Sequence, residues 1–189
     1  MKVYAFYNEG FETVEALAVV DVLRRVAIEV INVSLTDSYD VKSAQRIVVK
    51  CDALWDEVKN KITTEDVLFL PGGPGTKYYL DRADFIHTLK VHHEANGLIA
   101  AICAAPTVLG RIGLLEGRRA ICFPGCEDEL YGAEILKAPV KVVTDGNIIT
   151  ARGMGAAVDL GLELIKILKS EEEAKRIGVL IQYLEEAEN

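Results

Sequence analysis

The sequence predicts an α/β fold with a mostly parallel central sheet and an antiparallel hairpin at one edge. Short β-branched runs alternate with segments of helical periodicity, which is typical of βαβ units around a parallel sheet. The pair Asp145-Gly146 separates two such runs and is a strong hairpin signal. With 189 residues, 50% of them hydrophobic, the chain can bury a core, so we expect residues 1–189 to form a single domain.

The amino-terminal part of the chain contains a clear βαβ unit. Residues 2–7 are predicted to form a strand, residues 13–25 a helix, and residues 29–35 the returning strand. Residues 47–50 are predicted to form another strand, which could belong to a hairpin that begins at Val41. The order of these elements supports the α/β class.

Two wholly apolar strands are predicted in the middle of the chain. The first covers residues 67–70 and ends in the turn Pro71-Gly72-Gly73-Pro74-Gly75, which should lead into helical segments up to about Ala95. The second covers residues 98–102 and runs into a helix over residues 106–112. Both strands are apolar throughout, as expected of central strands that are buried on both faces.

The carboxyl-terminal part of the chain is predicted to add one strand, the hairpin and two helices. The strand covers residues 120–123, and the hairpin joins residues 140–143 to residues 148–151. Residues 158–168 form an amphipathic helix, and residues 171–188 are expected to form an extra carboxyl-terminal helix. One face of that last helix carries Ile177, Leu180, Ile181 and Leu184.

Charge and hydropathy argue against two classes of partner. The formal net charge is -8, and phosphate binding depends on clustered Lys and Arg, so no nucleic-acid partner is expected. The amino terminus lacks the apolar core of a signal peptide because Asn8, Glu9 and Glu12 interrupt it. The most apolar run, residues 97–110, is shorter than the ~20 residues that cross a bilayer. We therefore expect a cytoplasmic protein with no membrane partner.

The four cysteines are too sparse for a disulfide scaffold, and reduced thiols in a cytoplasm are expected. Cys122 and Cys126 have neither the CxxC spacing of redox motifs nor a second ligand pair for zinc. No metal site is predicted.

The most informative segment surrounds Cys103. A buried strand ends at Ile102 and a helix begins at Pro106, with only small residues such as Ala104 at the junction. Nucleophile elbows are built in this way, because so sharp a turn strains the backbone and tolerates only small neighbours. Unpaired N–H groups at the turn should stabilise a thiolate, so the pKa of Cys103 is expected to be lowered. From spacing alone, an ordinary core cysteine is an equally good interpretation.

Several segments resemble the ThiJ/PfpI superfamily, in the branch of the human parkinsonism-associated deglycase and bacterial YajL. The segments that carry the resemblance are Ala101-Ile-Cys103-Ala-Ala-Pro106, Glu12-Thr-Val-Glu15-Ala, Ser43-Ala-Gln-Arg46, Leu70-Pro-Gly-Gly73 and Ala151-Arg-Gly153-Met-Gly155. The resemblance extends to about Leu168. It implies a flavodoxin-like, three-layer sandwich similar to class I glutamine amidotransferases, a homodimer, and no cofactor.

The resemblance assigns roles to individual residues. Cys103 is implied to be the nucleophile, and Glu15 is implied to hydrogen-bond with it. A carboxyl desolvated beside a thiolate is pushed towards its protonated form and can then move a proton. Considered alone, Glu15 would be interpreted first as a helix N-terminal carboxylate with no other role. The backbone N–H groups at Gly72, Gly73 and Ala104 are candidates to stabilise an oxyanion.

This chain departs from the family pattern at two positions. Phe123 stands where the human protein has histidine, and Met154 stands where proline is usual between two glycines. Gly153 and Met154 belong to a turn that in relatives lies near the partner subunit. Three arginines also resemble positions at or beside the family's dimer interface: Arg24, Arg25 and Arg46. These departures leave the choice of substrate open.

The predicted activity is that of a cysteine-dependent, glutathione-independent glyoxalase (a lyase) or a protein deglycase (a hydrolase). Its substrate would be a small 2-oxoaldehyde such as methylglyoxal, or a glycated amino group. Cys103 would add to the aldehyde and Glu15 would move a proton, in defence against carbonyl and oxidative stress.

Two other functions could also depend on Cys103. In one, Cys103 is a redox sensor that is oxidised to sulfenic or sulfinic acid, with any chaperone effect exerted through the dimer. The other, a cysteine peptidase or amidase, is disfavoured because Ala104 stands where the peptidase branch has histidine. His92 and His93 should lie solvated at the opposite edge of the sheet, whereas His87 is closer to the correct edge.

Overall fold

The computed structural model of the protein describes residues 1–185. The strands are β1 (Val3–Tyr7), β2 (Val30–Ser34), β3 (Asp40–Lys42), β4 (Val48–Lys50), β5 (Ala53–Leu54), β6 (Val67–Leu70), β7 (Leu98–Ile102), β8 (Arg119–Ala120), β9 (Glu134–Ile135), β10 (Val142–Asp145) and β11 (Ile148–Ala151). The helices are α1 (Thr13–Arg24), α2 (Trp55–Val58), α3 (Ala83–Glu94), α4 (Pro106–Arg111), α5 (Ala157–Leu168) and α6 (Glu171–Leu180). Short 3-10 segments cover Pro74–Asp81, Glu127–Glu129 and Met154–Ala156.

Seven strands form the central sheet, in the order β10-β11-β7-β6-β1-β2-β5. Every neighbouring pair is parallel except β10 and β11, which are antiparallel and joined by a turn at Gly146-Asn147. The mostly parallel sheet with an antiparallel hairpin edge is therefore confirmed. Parallel pairing also puts the carboxyl ends of β1, β6 and β7 at one edge of the sheet, where open α/β sheets bind ligands.

The sheet lies between two layers of helices, as the three-layer prediction requires. Alternate residues of a strand point to opposite faces, so Ala5 packs beneath α1, α5 and α6 while Phe6 packs beneath α2, α3 and α4. On the second face the ring of Phe6 makes edge contacts with Trp55 and Phe85. The two apolar layers hold the strands rigidly and fix where their carboxyl ends lie.

The strands β6 and β7 have the predicted bounds, but the strand predicted over residues 120–123 is wrong. Only its first residue is in a strand, β8, which pairs with β9 outside the central sheet. The backbone N–H of Ile121 donates instead to Thr150 Oγ1, at 3.0 Å. The N–H of Phe123 donates to the carbonyl of Cys103, at 2.8 Å. This segment therefore lines the turn that follows β7 rather than extending a sheet.

The hairpin predicted from Val41 is present as β3 and β4, which pair in a sheet of their own. The short elements β5 and α2 were not predicted. Their two and four residues are too few to show a hydrophobic period.

The last helix is shorter than the predicted range of residues 171–188. It ends at Leu180 because Gln182 adopts a positive φ of 58°. The N–H of Gln182 then donates to the carbonyl of Val179, and the N–H of Tyr183 to that of Gly178, which is a Schellman motif. Residues 186–188 of the prediction lie outside the described residues.

None of the helices in residues 1–185 is both long and apolar enough to cross a membrane.

Candidate active site

The elbow at Cys103 has the strained backbone that the sequence predicts. Cys103 follows β7 directly and has a positive φ of 64°, which is rare for a residue with a side chain. Its N–H donates to the carbonyl of Ala151 in β11, and its carbonyl accepts from Phe123, both at 2.8 Å. These bonds hold the strained residue on both sides, so its half-buried thiol has a fixed position at the carboxyl edge of the sheet.

Glu15 lies opposite this thiol in the first turn of α1. The helix begins at Thr13 because the side chain of Glu12 caps it, its Oε2 accepting from the N–H of Glu15 at 2.6 Å. The Glu15 side chain is 1% exposed, and its Oε2 accepts from the N–H of Gly72 at 3.0 Å. Its Oε1 is buried and has no hydrogen-bond partner of good geometry in residues 1–185. A proton on this oxygen would allow it to donate to the nearby sulfur.

The protonation of Glu15 is set mainly by its burial. Burial raises the pKa of the Glu15 carboxyl from its usual value to about 7, and the negative charge of Glu12 adds to this rise. Hydrogen bonding with the Cys103 thiol lowers the pKa in the opposite direction, as do the backbone N–H groups of Gly72 and Met154. The carboxyl can therefore accept and release a proton near neutral pH, as a general acid and base requires.

The pKa of Cys103 moves in the direction opposite to the prediction. Burial raises the pKa of this thiol, and the Glu15 carboxylate raises it further, whereas the N–H groups of Ala104 and Gly73 lower it only in part. The expected lowering is wrong because desolvation outweighs the backbone dipoles. Near neutral pH the pair of Glu15 and Cys103 shares one proton, and its titration belongs to both groups.

This burial predicts a pH dependence of folding stability. The pKa of Glu15 is about 7 in the folded protein and about 4.3 in the unfolded chain, so between these values the folded state binds more protons. Stability contributed by this group is complete below pH 4 and falls as pH rises towards 7, by roughly 4 kcal/mol in all. Urea unfolding at pH 5 and pH 7.5 should show a larger fall for the wild type than for Glu15→Gln. Equal falls in the two proteins would contradict the assigned pKa.

The glycine turn after β6 supplies two different backbone N–H groups. The N–H of Gly72 donates to Glu15 Oε2. It is therefore not free to stabilise an oxyanion, contrary to the prediction from the sequence. The N–H groups of Gly73 and Ala104 lower the pKa of Cys103, so both lie close to its sulfur. Gly73 has a positive φ of 96°, and a Cβ there would lie 2.6 Å from the backbone nitrogen of Glu12. Gly72 therefore positions the Glu15 carboxyl, and Gly73 lies beside the sulfur of Cys103.

A turn after β11 closes the other side of the site. A Cβ at Gly153 would lie 4.0 Å from Cys103 Sγ and 3.3 Å from the ring of Phe123. The backbone N–H of Met154 lowers the pKa of Glu15, while the Met154 side chain is exposed. Phe123 and Met154 both line a cleft of about 570 Å³ beside the cysteine. The two departures from the family pattern therefore shape one cavity.

The arginines predicted near the dimer interface do not approach Cys103 within one chain. Arg24 ends α1 and Arg25 follows it, so they lie nine and ten residues from Glu15 and thus ~14–15 Å along the helix. Arg24 pairs with Asp52 and Arg25 with Asp21. Arg46 is exposed in the turn between β3 and β4, with a positive φ of 65°. Their place at a dimer interface stays a prediction.

The histidines are not arranged as bases for Cys103. His92 is 4% exposed, so the expectation that it is solvated is wrong; its ring packs against Gly97 and its Nε2 is 3.3 Å from the carbonyl of Leu98. Leu98 begins β7 and Cys103 follows its end, a separation of roughly 16 Å along the strand. His87 lies on an exposed face of α3, and His93 is half-buried.

The remaining cysteines are all free thiols, as expected. Cys51 and Cys122 are buried, and Cys126 is half-buried. Within residues 1–185 no cluster of His, Cys, Asp and Glu side chains is arranged to hold a metal ion.

One residue of the site was missed. Arg152 lines the same cleft as Phe123 and Met154. Its only signal in the sequence is its place beside Gly153, in a segment that was interpreted as a glycine turn alone.

The chain matches the model of the DJ-1/PfpI family over residues 1–167. It is 32% identical over 177 residues to "Protein dj-1beta" of Drosophila melanogaster, and this match covers 92% of this chain and 94% of the relative. It is 30% identical over 169 residues to "Glutathione-independent glyoxalase DJR-1.2" of Caenorhabditis elegans, covering 89% of each chain. Among solved structures, "Toxoplasma gondii DJ-1, oxidized" superposes with a TM-score of 0.91 at 33% identity, covering 97% of this chain and 99% of that one.

Proposed function

The chain belongs to the DJ-1/PfpI family, and from this premise we propose that it is a glutathione-independent glyoxalase of 2-oxoaldehydes such as methylglyoxal. The observation that carries the proposal is the pairing of Cys103, in a strained elbow, with a buried Glu15 whose pKa is about 7. The name of the Caenorhabditis elegans relative describes the same class of activity. Early adducts of these aldehydes on amino groups are proposed as further substrates.

The first step forms a carbon–sulfur bond. The pair of Cys103 and Glu15 has one proton to share near neutral pH, and in the reactive form that proton lies on Glu15. The sulfur of Cys103 adds to the aldehyde carbon, and the aldehyde oxygen takes up a proton, giving a hemithioacetal. The N–H groups of Gly73 and Ala104 are suited to stabilise the negative charge that moves from the sulfur to this oxygen.

The second step is an internal oxidation and reduction. Glu15, as the carboxylate, removes the hydrogen of the former aldehyde carbon and returns a proton to the neighbouring carbonyl carbon. The hydroxyl proton of the first carbon passes to the oxygen of the second, so the first carbon is oxidised to a thioester while the second is reduced to an alcohol. Water then hydrolyses the thioester, releasing a 2-hydroxy acid and the free thiol. Overall, one 2-oxoaldehyde and one water give one 2-hydroxy acid, and neither a cofactor nor an external oxidant is consumed.

The direct test is lactate formation from methylglyoxal by the reduced protein without glutathione. The wild type should form lactate well above the blank, and Cys103→Ser should lose this activity because it lacks the sulfur nucleophile. A wild type that forms lactate no faster than Cys103→Ser would reject the proposal.

A second candidate function is redox sensing by Cys103. Peroxide would oxidise the thiol to a sulfenic and then a sulfinic acid, each step transferring one oxygen atom to sulfur and releasing water. The N–H groups of Gly73 and Ala104, together with a protonated Glu15 Oε1, would hold a sulfinate anion. The solved Toxoplasma gondii relative is described as oxidized. Absence of lactate from all variants, with sulfinate still formed on Cys103, would favour this candidate.

We further infer that the chain acts as a homodimer in the cytoplasm. Apolar side chains that a monomer would leave exposed include Val14, Ile47, Val48 and Met154. Light scattering should give twice the chain mass of 20.7 kDa, and a mass of one chain would contradict the dimer. The free thiols of all four cysteines support a reducing compartment, and cell fractionation is the corresponding test.

A further inference from the structure

Glu15 has few polar contacts of its own to hold it beside Cys103. Its Oε2 accepts from the N–H of Gly72, whereas its Oε1 has no hydrogen-bond partner of good geometry among residues 1–185. One hydrogen bond does not fix a side chain that has several rotatable bonds. The distance between the carboxyl and the sulfur therefore also depends on where the first turn of α1 lies.

The loop that leads into α1, residues 8–12, is bonded on two sides. On one side it meets the glycine turn, where the N–H of Glu12 donates to the carbonyl of Gly72 at 2.9 Å. On the other side it meets the hairpin of β3 and β4, where the N–H of Ala44 donates to the carbonyl of Phe11 at 2.9 Å. The hairpin therefore lies directly against the loop from which α1 begins.

Thr13, the first residue of α1, joins the helix itself to this hairpin. Its Oγ1 lies 2.8 Å from Ser43 Oγ and 2.8 Å from Gln45 Oε1, and it can donate its hydrogen to either oxygen. Ser43 Oγ also accepts from the N–H of Ile47 at 3.1 Å, within the hairpin. We call the side chains of Thr13, Ser43 and Gln45 the hairpin clamp.

The hydroxyl bond at the centre of the clamp is shielded from water. Thr13 is 7% exposed and Ser43 is 4% exposed within one chain, so the bond between them is present whether or not a partner subunit covers the hairpin. A buried hydroxyl that loses its partner costs free energy, so the helix does not move away from the hairpin freely. Thr13 and Glu15 belong to one helical turn, and a displacement of Thr13 therefore moves Glu15 with it.

We propose that Thr13 is a positioning residue for Glu15: the hairpin clamp holds the first turn of α1 in place, so that the carboxyl stays within reach of the Cys103 sulfur. This inference rests on the proposed function for the reaction in which Glu15 moves a proton. Thr13 acts through Glu15 and takes no part in the bond changes at Cys103.

The first test compares kcat and KM for methylglyoxal in Thr13→Val and Thr13→Ser. Valine has nearly the shape of threonine but lacks the hydroxyl, so kcat should fall about tenfold, because a small displacement of a catalytic group is costly. KM should stay within about twofold of the wild type, since the clamp removes no contact with the substrate. Serine retains the hydroxyl and should keep most of the wild-type kcat.

The second test does not need turnover. The rate at which iodoacetamide alkylates Cys103 is measured against pH by mass spectrometry, in variants that thermal unfolding shows to be folded. The Glu15 carboxylate raises the pKa of Cys103, so a carboxyl that has moved away should shift the midpoint of the profile to lower pH. Ser43→Ala and Gln45→Ala together remove the clamp from the hairpin side and should give the same shift. Adding Thr13→Val to them should not increase it.

Thr88→Val is the matched control. The Thr88 hydroxyl donates to the carbonyl of Asp84 within α3, so this variant also removes one threonine hydrogen bond, but outside the site. Its kcat and its alkylation profile should match those of the wild type. An unchanged midpoint or a wild-type kcat in Thr13→Val, or equal changes in Thr88→Val, would overturn the inference. If the wild type forms no lactate but the midpoint of Thr13→Val is shifted, the glyoxalase proposal fails while the hairpin clamp stands.

Discussion

Replacing Glu15 by glutamine is expected to lower the turnover of methylglyoxal at least about a hundredfold, the contribution typical of general acid and base catalysis. The side-chain oxygen of glutamine can still accept the 3.0 Å hydrogen bond from Gly72, so the glycine turn should keep its place. An amide, however, cannot take the hydrogen from the hemithioacetal carbon and return it to the neighbouring carbon. The loss should therefore appear in kcat rather than in KM.

The same variant separates catalysis from redox sensing. Oxidation of Cys103 by peroxide needs the sulfur but no proton shuttle between two carbons, so Glu15→Gln should still form the sulfinate. Removing the carboxylate also removes a negative charge that raises the pKa of Cys103, so the thiol should ionise at lower pH. Alkylation by iodoacetamide measured against pH reports that shift.

A matched control is available on the same helix. Glu12→Gln also replaces a carboxylate by an amide, and the amide oxygen can still accept from the N–H of Glu15 to cap the helix. Its turnover should fall far less than that of Glu15→Gln. Turnover of Glu15→Gln close to that of the wild type would sink the proton-shuttle mechanism, even if Cys103 proved essential.

The architecture of the site could be predicted because local sequence determines it. An apolar strand, small residues and a proline at the start of a helix are sufficient to predict the elbow at Cys103. The order of elements brings the carboxyl end of β7 to the same edge as the first turn of α1, which carries Glu15. These features depend on residues close together in the chain and on the parallel pairing of strands.

The energetics of the site could not be predicted, because they depend on burial by distant segments. The pKa of Cys103 is raised because the turn after β6 and the turn after β11 both cover the sulfur. His92 is buried, although its neighbour His93 is half-exposed, because its ring fills the space above Gly97. Sequence periodicity contains no measure of these contacts.

Gly72→Ala is expected to destabilise the fold by about 3 kcal/mol, the upper part of the range for an added group in a packed interior. A Cβ at this position would lie 2.5 Å from Glu15 Oε2, 2.6 Å from Cys103 Cβ and 2.8 Å from the carbonyl oxygen of Ile102. The carbonyl belongs to a central strand and cannot move without breaking the sheet. The Glu15 side chain must therefore turn away and lose the Gly72 hydrogen bond. For a chain of this length the melting temperature should fall by roughly 6–12 °C.

The effect of Gly72→Ala depends on space rather than on backbone conformation, since Gly72 has no positive φ. Gly155→Ala tests this distinction, because a Cβ at Gly155 meets no atom within 4 Å and that glycine also lacks a positive φ. Thermal unfolding should show Gly155→Ala within about 0.5 kcal/mol of the wild type, as is usual for open positions. The alanine at 72 should also abolish lactate formation, because it separates the carboxyl from the sulfur. A stable Gly72→Ala variant with wild-type turnover would show that the carboxyl and the thiol need not be in contact.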